Sequence, residues 1–162
     1  LPPSTLNVKV VPAGAATPVV IEADLELEAG IEQTVLAVGP LAEIEPIVLV
    51  DDNRRIATEA RIRLVHASPS AGNVDIYVTD ALTSIDDVAP AFADVPFKAD
   101  TGYVGLAPGS YAVTVTPTGS KLPAIGPVLL EFDAAGIYTA VARDEFGGGV
   151  PPGLILLDDL AP

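Results

Sequence analysis

The 162-residue chain contains no cysteine, no methionine and no tryptophan. Without cysteine there is no disulfide frame, no thiolate nucleophile and no zinc–thiolate site. With no methionine at all, the sequence reads as a processed product or a fragment, and no signal segment remains to be read. Amide side chains are confined to Asn7, Asn53, Asn73 and Gln33. A shortage of oxidisable and deamidating groups suits long exposure outside a cell or at high temperature. Aromatics make up only 5%, and no stretch approaches the roughly 18 uninterrupted apolar residues of a membrane span. Cations are few: 8 Lys and Arg stand against 22 Asp and Glu, a net charge of −14. Such a chain is repelled by phosphate backbones and anionic lipid, so neither nucleic-acid binding nor membrane insertion is expected.

Apolar residues are plentiful at 49%, mainly Val, Ile, Leu and Ala, which is ample for a core. The 14 glycines and 16 prolines are spread along the chain rather than clustered. Turn formers scattered between short apolar runs indicate many strands joined by tight connections.

The chain repeats itself. Asn7-Val-Lys-Val-Val-Pro-Ala-Gly14 aligns with Ala112-Val-Thr-Val-Thr-Pro-Thr-Gly119, and Leu25-Glu-Leu-Glu-Ala-Gly30-Ile31 with Leu130-Glu-Phe-Asp-Ala-Ala-Gly136-Ile137. Ile47-Val-Leu-Val-Asp-Asp52 then aligns with Leu154-Ile-Leu-Leu-Asp-Asp159. The matches keep their order while the offset drifts only from 105 to 107 residues. Residues 1–53 are therefore expected to be the C-terminal half of a first repeat, 54–60 a polar connector, and 61–162 a complete second repeat.

The second repeat reads as about seven strands. Arg61 to Ala67 alternates with Ile62 and Leu64 inward, and Val74 to Val78 alternates again. Thr79 to Ala93 is a longer connection with a short helical turn at Ile85–Val88. Val95-Pro96-Phe97 and Tyr103–Leu106 read as short strands, with Pro108-Gly109 as a turn. Tyr111–Thr116 is the clearest strand, and Val128–Phe132, Ile137–Ala142 and Leu154–Leu157 complete the set. The expected fold class is all-β: antiparallel immunoglobulin-like β-sandwich units in tandem, the first present only as its C-terminal half.

Arg63-Leu-Val-His66-Ala-Ser68-Pro69, followed by Val74-Asp75-Ile-Tyr77, resembles the opening of the family catalogued as domain of unknown function 4397. Val95-Pro96-Phe97, Tyr103 and Leu106-Ala-Pro-Gly109-Ser-Tyr111 resemble its later hallmarks. The resemblance covers the second repeat and, through the internal match, the first half-repeat. It implies a secreted or cell-envelope protein, often in tandem copies, with no established catalysis. The motif residues His66, Ser68, Pro69, Asp75, Tyr77, Pro96, Phe97, Tyr103, Gly109 and Tyr111 are read as structural.

His66 is the only histidine. It can end a strand by hydrogen-bonding nearby backbone at the Ser68-Pro69 corner, or act as a general base or metal ligand, with Asp75 placed to orient it and Ser68 or Ser70 as nucleophile. No nucleophile elbow or oxyanion loop accompanies such a triad, so no catalytic residue is assigned. The acid pairs Asp51-Asp52, Asp86-Asp87 and Asp158-Asp159 are weak calcium candidates, because hard cations take several oxygen donors. They lack the loop spacing of a dedicated calcium site and are read as solvated sheet-edge charges; no cofactor is otherwise expected. Gly147-Gly-Gly149 lacks the lysine and helix of a phosphate loop and reads as a hairpin tip. Tyr77, Tyr103, Tyr111 and Tyr138 are read as core or sheet-face residues.

A half-repeat that stands alone exposes an apolar face, carried here by Val8, Val10, Leu25, Leu27, Val35, Ala37, Val48 and Val50, together with open strand edges. The expected function is therefore non-enzymatic: a structural subunit outside the cell, completed by strands from another copy or a partner protein, forming a fibre or surface layer. The alternative is a stand-alone adhesive or ligand-binding module of the cell envelope.

Overall fold

In the computed structural model, residues 4–145 and 149–160 are described. They form strands and turns with two single-turn 3₁₀ segments, Leu41–Glu43 and Pro69–Ala71; no α-helix occurs among the described residues. The chain divides into two compact units, residues 1–52 and 53–162.

Unit 1 holds β1 (Ser4–Val10), β2 (Ile21–Leu27), β3 (Glu32–Val38) and β4 (Glu45–Asp51). Strand β1 pairs antiparallel with β2, from Ser4↔Leu27 to Val10↔Ile21, and β3 pairs with β4, from Glu32↔Asp51 to Val38↔Glu45. The alternation of Ile21-Glu-Ala-Asp-Leu-Glu-Leu27 explains the first hairpin: its polar residues face water and its apolar ones the other way. Opposite them, Lys9 Nζ lies 3.0 Å from Glu22 and Asn7 Nδ2 donates to Asp24 at 2.8 Å. In β3 and β4 both faces are apolar: Val38 and Leu49 are buried, whereas Val35, Val48 and Val50 are exposed.

Unit 2 holds β5 (Ala60–Ala67), β6 (Val74–Asp80), β7 (Phe92–Val95), β8 (Val104–Leu106), β9 (Gly109–Pro117), β10 (Ile125–Phe132), β11 (Ile137–Glu145) and β12 (Gly149–Asp158). They make two four-stranded sheets, ordered β10-β9-β6-β7 and β12-β11-β5-β8. Residues from both sheets share one core, with Ile62 and Leu64 of β5, Ile76 of β6, Val113 and Val115 of β9, Phe132 of β10 and Ala140 of β11 at its centre. The Phe132 ring packs between those of Tyr111 and Tyr138, at 5.9 and 5.1 Å between centroids. Residues 53–59 group with this unit: Arg55 Nε donates to the Ala135 carbonyl, and Ala135 N–H to that of Glu59, both at 2.9 Å.

Several local expectations need correction. The sheets are antiparallel except at one place, where β5 and β11 run parallel from Ile137↔Arg61 to Arg143↔Ala67. The long intervening chain supplies the crossover that parallel neighbours require. The expected strand Val95–Phe97 is instead Phe92–Val95, and Phe97 sits in a turn because Pro96 has no N–H to extend the ladder. Ile85–Val88 closes one hydrogen-bonded turn, Val88 N–H to Ile85 O at 3.2 Å, where a short helical turn was expected. Tyr103 precedes β8. The connection 81–91 packs back on its own sheet, where Lys121 Nζ donates to the carbonyls of Ile85 (2.6 Å) and Val88 and lies 4.5 Å from the centre of the Tyr77 ring.

The two units share one register. At an offset of 105, the pair Leu6↔Leu25 becomes Tyr111↔Leu130 and Val8↔Ala23 becomes Val113↔Val128. On the other hairpin, Glu32↔Asp51 becomes Tyr138↔Asp158 and Val35↔Val48 becomes Val141↔Ile155. The turn after β1 recurs too, with Gly14 at φ +79° and Gly119 at φ +77°. Strands β1–β4 therefore correspond to β9–β12, and the registers part only where unit 2 shifts, between Ile125 and Val128 and between Arg143 and Glu145.

Truncating Phe132 to alanine should destabilise unit 2 by about 3–5 kcal/mol, since a large buried ring leaves a cavity. Leu129→Ala, on the solvent side of the same strand, should stay within about 0.5 kcal/mol. Urea unfolding of both variants checks the pair.

Candidate functional site

At the end of β5, His66 is 1% exposed. Its Nδ1 accepts the Ser68 N–H at 3.4 Å, which leaves the proton on Nε2, 2.7 Å from the Gly72 carbonyl. Its own backbone ties β5 to the segment after β7: His66 N–H donates to Ala99 O (2.9 Å) and Lys98 N–H to His66 O (2.8 Å). The ring stands edge-on to Phe97, 6.2 Å between centroids. Both ring nitrogens are thus engaged by backbone at the Ser68–Pro69 corner.

Asp75 does not orient His66. Its Oδ1 accepts the Asp94 N–H and its Oδ2 the Gly119 N–H, both at 2.8 Å, so this carboxylate ties β7 to the turn after β9. The hydroxyls of Ser68 and Ser70 instead donate to Asp144 Oδ1, the latter at 2.6 Å. Asp144 lies on β11, 76 residues from Ser68, and the parallel β5–β11 pairing brings them together. No sequence pattern announces that pairing. Ser68, His66 and Asp75 do not converge.

A second cluster lies on the β5–β11 seam, around Arg63. This guanidinium is 1% exposed, donates to Thr139 Oγ1 from Nε (3.2 Å) and Nη2 (2.9 Å), and lies 4.5 Å from the centre of the Tyr103 ring. Arg61 approaches the same ring at 5.1 Å. Tyr103 Oη and Thr139 Oγ1 both donate to Asp159 Oδ2 at 2.8 Å. Burial and the hydrogen bond to Asp159 push the Tyr103 hydroxyl up to about 12, against the weaker opposing pull of Thr139 and Arg63. Nothing in the sequence signals that Arg63 is buried, because alternation with inward Ile62 and Leu64 puts it on the opposite face, where a cation reads as solvated.

The remaining candidates are dispersed. Asp51 accepts from Thr34 (2.8 Å), Asp86 from Ser84 (2.8 Å) and Asp158 from the Leu160 N–H (3.0 Å), while Asp159 belongs to the Arg63 cluster and Asp87 sits beside Asp86 in the turn. Among the described residues, no three His, Cys, Asp or Glu gather as metal ligands. Tyr111 Oη donates to the Ala107 carbonyl at 2.9 Å across the corner that holds Gly109. Gly147 and Gly148 lie outside the described residues.

The least satisfied surface is in unit 1. Each of its four strands has one strand neighbour among the described residues. Val8, Val10 and Leu25 are only half-buried, whereas their counterparts Val113, Val115 and Leu130 are buried. An open cleft of about 170 Å³ lies between the two hairpins, with Val8, Val10, Ile21, Leu25, Val35 and Ala37 in its walls. Gln33 Oε1, on β3, is buried without a hydrogen-bond partner.

The model of the family described as Domain of unknown function (DUF4397) matches residues 1–77. The match takes in all of unit 1 and reaches Tyr77 in β6, so the His66–Pro69 and Val74–Tyr77 motifs fall inside it. The segments from Val95 to Tyr111 lie beyond it. No curated protein matches the chain.

Tyr103 is held neutral more strongly in the fold than when unfolded, so its contribution to stability is full below pH 10 and is lost as pH rises through about 12. Tyr103→Phe should remove that alkaline loss while weakening the fold at neutral pH, as followed by unfolding at pH 7 and pH 11. Arg63→Ala, which strips Thr139 of a charged donor, should cost at least about 2 kcal/mol in the same assay.

Proposed function

We propose that this protein is a non-enzymatic structural or assembly protein of the cell exterior, whose first unit is completed by strands from another chain. One observation carries this reading. Strands β1–β4 share the register of β9–β12 over most of both hairpins, yet unit 1 has no counterpart of β5–β8 among the described residues. In unit 2 those strands cover the inner faces and occupy the second edges of β9 and β11. A strand edge with unmet N–H and C=O groups recruits another strand, and an apolar face gains about 25 cal/mol for each Å² removed from water. Completion of this kind is head-to-tail, and such contacts propagate into a fibre or surface layer unless they close as a ring.

The engagement of both His66 nitrogens by backbone supports a structural rather than a catalytic role for that residue. The family match and the scarcity of oxidisable residues support a location outside the cell. No cofactor enters the proposal, calcium included, so neither excess calcium nor a chelator should shift the melting temperature.

Sedimentation over a range of micromolar concentrations, for the protein isolated from its source, tests assembly. The reading predicts a mass above that of one chain. A fully folded monomer at every concentration would remove it.

A further inference from the structure

Unit 2 has more cover than a sandwich of two sheets requires. Val74, Ile76 and Val78 of β6, with Val113 and Val115 of β9, pack into the core between the sheets. Their neighbours Asp75, Tyr77, Thr79, Thr114 and Thr116 take the other face, which a two-layer fold gives to water. All five are nevertheless buried. The connection 81–91 and the turn 118–124 lie over that face, and Lys121 fastens them together. Its Nζ donates to the carbonyls of Ile85 (2.6 Å) and Val88 and lies 4.5 Å from the centre of the Tyr77 ring. Gly119, in the same turn, donates its N–H to Asp75 Oδ2. Ile85 is buried between exposed neighbours, while Leu82 stands fully in water.

Among the described residues, little else holds this connection down. Its backbone hydrogen bonds, Thr83 N–H to Asp80 O and Val88 N–H to Ile85 O, close local turns. The bond from Thr79 Oγ1 to the Thr83 carbonyl is long, at 3.5 Å. Closure therefore rests on one ammonium, whose charge strengthens both carbonyl bonds and its contact with the ring. The cover also has a cost. Thr116 is fully buried, and its Oγ1 has no hydrogen-bond partner. It stands opposite Asp75 and diagonal to Tyr77, under the same two segments. A hydroxyl sealed from water without a partner is unfavourable, and opening the cover relieves it.

We propose that residues 81–91 are a strap held between two opposing terms: Lys121 closes it, and the stranded Thr116 hydroxyl favours its opening. The strap opens by itself while both sheets of unit 2 stay folded. Opening uncovers the Tyr77 ring together with the hydroxyls of Thr79, Thr114 and Thr116, a polar face on β6 and β9. This device is independent of how unit 1 is completed.

The test is amide hydrogen exchange of the full chain, read at Thr83, at Val88 and along β9, in two variants that push in opposite directions. Lys121→Met keeps an apolar chain over the Tyr77 ring but donates nothing. It should speed exchange at Thr83 and Val88 about tenfold or more while β9 is unchanged. Thr116→Val removes the stranded hydroxyl with little change of shape and should slow exchange at the same two amides. Because the chain has no tryptophan, tyrosine emission gives a second readout. Acrylamide should quench Lys121→Met more than the parent protein, and the gain should vanish when Tyr77→Phe is added. Unchanged exchange at Thr83 and Val88 in Lys121→Met would remove lysine as the closing group. Exchange in β9 that quickens together with the strap would mean that the cover opens only with the whole unit, which contradicts a strap. Thr116→Val with unchanged or faster strap exchange would overturn the part given to the hydroxyl.

Discussion

The parallel pairing of β5 with β11 is the constraint on which unit 2 depends. It joins the first strand of the unit to the strand that pairs with β12, and so links its two halves into one sheet. Two clusters of buried polar groups sit along this seam. Arg63 donates across it to Thr139, Ser68 reaches Asp144 at its end, and Asp159 gathers Tyr103 and Thr139 beside it. A buried guanidinium is tolerable there because its donors find an acceptor and its face finds an aromatic ring. These groups form a structural latch, in which each polar atom fixes a neighbour that the fold requires.

Unit 1 has the strands of the second half without a seam. Its hairpins share most of the register, the Gly14 turn geometry and the alternation of their counterparts, signals that are local to the sequence. What differs is the environment of the inner faces and outer edges, which in unit 2 come from residues 60–106. Two-stranded ribbons are marginal in water until a third strand or a second layer covers them. The function proposed for this protein follows from that physical deficit.

Strand positions were legible in the sequence because alternation and turn residues are local signals. Tyr111–Thr116 and Ile137–Ala142 fall within β9 and β11, and the aligned blocks carried the register of both hairpins. Strand neighbours were not legible, since a period of two says which face a residue takes and nothing about who lies beside it. Hence the parallel seam went unforeseen, and with it Asp144 as the partner of Ser68. Asp75 can orient His66 only if consecutive strands are neighbours, whereas β5 and β6 belong to different sheets. Gln33 drew notice only as a rare amide, because an orphaned acceptor becomes visible once its equivalent in unit 2 is seen to be bonded.

The central claim is that two sets of strands share most of one register while, among the described residues, only one set has further strands beside it. Amide hydrogen exchange of the full chain alone tests it most directly, by comparing β1 and β3 with β9 and β11. The account predicts that β9 and β11 exchange only through global opening, while the edge amides of β1 and β3 exchange orders of magnitude faster. Equal, high protection of both sets in the isolated chain would contradict it.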